Sequence, residues 1–124
     1  MSIVKTDVPM TSDLLETIIL NLTGAYPSLD TQVLTQTEYG RPIRTLSIGN
    51  GDRKVIFTAA HHANEWITTP ILLKFMEELA EAAQNGGNIY GVPAENILKY
   101  NTIHTVPMVN PDGVDLVTGA IGPG

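Results

Sequence analysis

Along residues 11–24, TSDLLETIILNLTG, the apolar positions Leu14, Leu15, Ile18, Ile19 and Leu22 fall on one side of a 3.6-residue spiral. The pattern predicts an amphipathic helix, with Thr11, Ser12 or Asp13 available to cap it and Gly24 to end it. Alternation then replaces helical spacing. Two strands, Thr31–Glu38 and Ile43–Ile48, flank a turn at Tyr39-Gly40-Arg41-Pro42. After the turn signal Asn50-Gly51-Asp52, the run KVIFTAA at 54–60 is continuously apolar and reads as a buried strand. From Trp66 to about Gln84 the period returns to that of a helix. Leu72, Phe75, Met76, Leu79 and Ala83 take one face, while Lys74, Glu77, Glu78 and Glu81 take the other. Pro70 belongs near its first turn, where a missing N–H does no harm.

Residues 85–93, NGGNIYGVP, form a glycine-rich loop, and AENILKY at 94–100 has the length of a short helix. NTIHTVPMV at 101–109 reads as a second buried strand, closed by Asn110-Pro111-Asp112-Gly113 as a type I turn. The tail TGAIGPG carries no pattern of a finishing helix or strand. The order helix, three strands, helix, short helix, strand predicts an α/β fold: a mixed β-sheet with helices on its faces.

Composition narrows the function. At 124 residues the chain has the size of one domain, and 43% hydrophobic with 16% charged residues fits a globular protein. Thirteen acids against seven bases give a net charge of −6 with no basic cluster, which argues against nucleic acid or an anionic membrane as partner. The absence of cysteine excludes disulfides, thiolate catalysis and cysteine-bound zinc. The start, MSIVKTDVPM, has no leader-like apolar run, and no stretch approaches transmembrane length, so a soluble chain is expected and its compartment stays unassigned.

One stretch carries candidate chemistry. FTAAHHANEW at 57–66 places two of three histidines side by side where a strand runs into a helix. His62 and Glu65, spaced H-x-x-E, are both zinc-binding types, and the carboxyl end of a strand is where open α/β sheets bind ligands. Alone the spacing is weak, because a surface histidine beside a helix-start glutamate satisfies it equally. His61 is expected to pack or to act behind the ligands rather than bind the same ion, and His104 to be a satisfied core or interface histidine. Asn110 and Asp112 read as turn residues.

Taken together, VIFTAAHHANEWITTPILLKFMEEL, the later VPMVNPDGVDLV and the GRPI turn resemble the zinc metallocarboxypeptidase family, over about residues 11–119. Within it the likeness is to the bacterial γ-D-glutamyl-L-diamino-acid endopeptidases, which cut the stem peptide of peptidoglycan. The resemblance implies a zinc ion held by His62 and Glu65 as two of three protein ligands, a peptide substrate, and hydrolysis by an activated water with a glutamate moving the proton. Asn64 stands where better-known carboxypeptidases hold a substrate-binding arginine, so a substrate role for Asn64 is in question. In the family, the third ligand and the general-base glutamate follow N-P-D-G by a long stretch, and residues after Gly113 contain no His, Arg or Glu. The expectation is therefore one domain over residues 1–124, the N-terminal portion of a peptidase fold, inactive by itself and prone to self-association through an exposed sheet edge. Two other readings compete: a zinc amidohydrolase of the related deacylase type, and a catalytically dead binding or assembly module.

Overall fold

A computed structural model describes residues 3–62 and 66–119. Helix α1 (Ser12–Ala25) starts where the Thr11 side chain accepts from the Leu14 amide at 3.1 Å, and buries Leu15, Ile18, Ile19 and Leu22. Strands β1 (Asp30–Gln36) and β2 (Pro42–Ile48) form the expected antiparallel pair. β3 spans Arg53–Thr58, α2 Thr68–Gln84 and α3 Ala94–Tyr100, before β6 at Asn101–Val106. The glycine-rich stretch between α2 and α3 carries a two-residue ladder, β4 (Asn88–Ile89) with β5 (Val92–Pro93).

The main sheet has the order β1-β2-β6-β3, with β6 antiparallel to β2 and parallel to β3. The β3-α2-α3-β6 segment is thus a crossover between neighbouring parallel strands, which needs a helix-length connection. The turn into β3 passes so close to the start of β6 that a Cβ on Gly51 would lie 1.9 Å from the Tyr100 carbonyl carbon. Only glycine fits there.

The core lies on one face of this sheet. Leu46, Ile48 and Ile103 point into a single cluster with Ile18, Ile19 and Leu22 of α1 and Leu73, Met76 and Leu79 of α2. Each of these large side chains contributes about 1.5–3 kcal/mol through burial. The alternate positions project from the opposite face. There the His104 Nδ1 is 2.9 Å from the Ser47 Oγ, so the half-buried His104 is satisfied as expected.

Glu77, expected on the polar face of α2, is instead buried, and two further expectations change. The run at 54–60 is not a buried strand: β3 has a partner on one side only among the described residues, and Ile56 is 68% and Phe57 44% exposed. The apolar run suggested cover on both faces, but it meets α2 on one face only, where Phe57 packs edge-on against Phe75 at 6.2 Å. The second change concerns Asn110–Gly113. They open a helix, α4 (Pro111–Thr118), with Asn110 as cap, Pro111 in its first turn and Gly119 as a left-handed stop. Proline and glycine suggested a turn, but an asparagine cap followed by proline is also a helix start.

The segment before α1 is fastened to α2 by one buried carboxylate. Glu77 accepts from the Ile3 amide at 2.5 Å and from Lys74 Nζ at 3.0 Å. Burial pushes this carboxyl up, but the Ile3 amide, the Lys74 ammonium and the Val4 amide outweigh burial and hold it below the ordinary glutamate value. A depressed folded-state pKa stabilises the chain fully above the ordinary glutamate range and less as pH falls through the lower folded value. Denaturant unfolding followed against pH is expected to show an acid limb that flattens in Glu77→Gln, with Glu77→Gln less stable than wild type at neutral pH.

Candidate metal and substrate site

β3 and β6 run parallel and end together, and their exits are stitched by backbone hydrogen bonds. The Ala59 amide donates to the Val106 carbonyl at 3.1 Å, extending the ladder by one residue. Returning from β6, Val109 and Asn110 donate to the Ala59 and Ala60 carbonyls, both at 3.0 Å. The Ala60 amide donates to the Thr68 Oγ1 at 2.8 Å, and the buried Thr69 hydroxyl donates to the Pro107 carbonyl at 2.6 Å. Every backbone polar group of Ala59 and Ala60 is therefore used, although Ala60 sits at φ +55°, a left-handed conformation that costs a non-glycine residue about 1–2 kcal/mol.

This pinned corner delivers His61 and His62 to the surface, where both are exposed. The His61 Nε2 lies 2.6 Å from the Thr58 Oγ1, so it braces the strand exit instead of packing into the core. Asn64 and Glu65 lie outside the described residues, and the convergence of His62 with Glu65 on one ion is carried by sequence alone.

The two motifs that read as turns meet each other. The Arg41 Nη1 donates to Asp112 Oδ1 at 3.0 Å and its Nε to Asp115 Oδ2 at 2.6 Å. Asp112 also accepts from the Thr37 hydroxyl at 2.9 Å, and Asp115 from the Ser12 amide at 2.7 Å and from the Ser12 hydroxyl. The Asp115 and Asp112 carboxylates hold the Arg41 guanidinium above its ordinary pKa. Asp112 lies in the first turn of α4, where the helix dipole favours a negative charge, and Asn110 Oδ1 caps the same end by accepting from the Gly113 amide at 3.0 Å. Asp115, Thr68 and Thr69 were not singled out in the sequence. The i, i+3 spacing of Asp112 and Asp115 was the only local sign of a shared helical face.

Residues 15–120 match the family model of the zinc carboxypeptidases, peptidase M14. The chain belongs to the zinc carboxypeptidase family. Among curated proteins, it is 40% identical over 99 residues to γ-D-glutamyl-L-diamino acid endopeptidase 1 of Lysinibacillus sphaericus, a match covering 80% of this chain and 25% of that protein. The uncharacterized protein YqgT of Bacillus subtilis (strain 168) is 35% identical over 101 residues, covering 80% of this chain and 27% of YqgT. The chain thus spans about a quarter of the length of these curated relatives. The same fold occurs in thrombin activatable fibrinolysis inhibitor, at TM-score 0.80 and 17% identity over 95% of this chain and 30% of that one.

Family membership gives the exposed His62 a chemical context. An imidazole at the carboxyl end of parallel strands is of a type that suits zinc, and the described residues place two exposed imidazoles, His61 and His62, at this corner. Among the described residues, no three His, Cys, Asp or Glu side chains cluster closely enough to hold a metal ion. No helix among them is long and apolar enough to cross a membrane.

The Arg41 contacts make a testable statement about the scaffold. Asp115→Ala leaves the buried Ser12 amide without its acceptor and is expected to cost about 1–3 kcal/mol in denaturant unfolding. The ellipticity of the folded state is expected to remain that of an α/β protein.

Proposed function

We propose that this chain is the donor-bearing portion of a zinc-dependent metallopeptidase acting on γ-D-glutamyl–diamino-acid bonds of peptidoglycan stem peptides. The observation that carries the reading is the 40% identity to an endopeptidase of that name over 99 residues, beside a family match over residues 15–120 that contains both H-x-x-E and N-P-D-G. His62 and Glu65 would hold the ion, and Asn64 is the candidate substrate contact beside them. When bound, zinc supplies Lewis acidity toward a peptide carbonyl and an acidified water. The residues of this chain provide the corner that presents His62, braced by the stitching of Ala59 and Ala60 to Val109 and Asn110.

Two donors close a zinc site less tightly than three, since water must fill the remaining positions. The chain by itself is therefore read as a weak zinc binder without peptidase activity. Zinc titration by calorimetry is expected to show His62→Ala and Glu65→Ala each losing affinity by more than about tenfold, the scale of outer-shell losses. Equal affinity in wild type and both variants overturns the metal assignment.

The sheet edge supports a second part of the reading, association of two copies. β3 presents its outer N–H and C=O groups beside a groove of about 320 Å³ lined by Phe57, Ile71, Leu72 and Phe75. Antiparallel pairing of two β3 strands would put Arg53 of each copy at opposite ends of the new ladder, avoiding like-charge contact. Sedimentation is expected to show a concentration-dependent dimer that Ile56→Lys weakens. A monomer at all concentrations removes this part.

A further inference from the structure

We infer that Thr68 is a positioning residue for His62, acting through the Ala60 amide. The inference rests on the zinc reading above for its consequence, and on hydrogen bonding alone for its geometry. A threonine at a helix start normally turns its oxygen to the helix's own free amides. Ile67 precedes α2 without a side-chain cap hydrogen bond, and Thr68, its first residue, accepts from the Ala60 amide at 2.8 Å. That bond joins the end of the β3 exit to the beginning of α2.

Ala60 is where such a tether has the most effect. Its left-handed φ sets the direction in which the chain leaves the sheet, and His62 is two residues on. The carbonyls of Ala59 and Ala60 are fixed by Val109 and Asn110, which leaves the Ala60 amide as the group through which α2 controls the corner. Thr69 fixes the neighbouring turn of α2 to the β6 exit through Pro107, so Thr68 is held against a frame that does not itself depend on the tether. A conformation disfavoured for alanine persists where its surroundings over-determine it.

Thr68→Val keeps the shape of the side chain and removes the acceptor; Thr68→Ser keeps the acceptor. In the metal-free 124-residue chain, Thr68→Val is expected to speed hydrogen exchange at the Ala60 amide by roughly fivefold or more. It is also expected to shift the His62 ring resonances, whereas Thr68→Ser leaves both as in wild type. Zinc affinity is expected to fall about 10–100-fold in Thr68→Val and to recover in Thr68→Ser. Unchanged His62 resonances in a folded Thr68→Val chain overturn the inference, as does an unchanged zinc affinity despite faster Ala60 exchange. Wild-type protein that binds no zinc sinks the metal reading instead, and the His62 resonances then decide the role of Thr68.

Discussion

Arg41 stands between two carboxylates of one helix, and the position of that helix decides where β6 hands the chain back to the sheet. Its guanidinium bonds Asp112 through one nitrogen and Asp115 through another. A single-point ammonium reproduces neither the planarity nor the spacing of that fork. Because Asp115 also holds the amide and hydroxyl of Ser12, the contact gathers the start of α1, the β1–β2 turn and α4 at one place. Three segments far apart in sequence then have one relative position. Two motifs that look independent in the chain, GRPI and NPDG, are the two halves of one ionic cluster.

From that cluster the constraint passes to the candidate site through backbone rather than side chains. Asn110 caps α4 with its side chain while its amide bonds the Ala60 carbonyl, so fixing α4 also fixes the β3 exit. Parallel neighbours end at the same level, which places both exits side by side without any further device. His62 follows Ala59 and Ala60, whose backbone groups are all paired. An exposed residue on such a base loses little order on binding an ion, and a ligand must be presented in that way if the site is to be selective.

Periodicity made α1, β2 and α2 legible because each turns a regular set of side chains to the core; β1 is exposed and was legible from the turn at 39–42 that joins it to β2. α4 was hidden because its cap and first three residues, Asn110 to Gly113, are also good turn formers, and its register is held by Asp112 and Asp115 facing Arg41. β3 was misjudged for a related reason. An apolar run shows that a strand has apolar side chains, but not how many elements cover it. The sequence puts His62, a donor type, just past a strand exit, and it is exposed there. Thr68 was not legible, because a threonine at a helix start has an ordinary explanation in capping and only the three-dimensional arrangement aims it at Ala60.

The two faces of the sheet divide the work. One face carries Leu46, Ile48 and Ile103 into a core shared with α1 and α2, which is enough apolar surface to order the four strands and set their register. The donor corner grows from the ends of β3 and β6, the two strands that the α2 crossover joins, so its geometry depends on that core and not on the opposite face. Both Ala59 groups and the Ala60 carbonyl bond toward the β6 side, to Val106, Val109 and Asn110, while Ile56 on β3 is exposed. On the proposed zinc reading, the presentation of His62 would reside in the hydrogen bonds of the strand exits, and the completion of the site in additional groups.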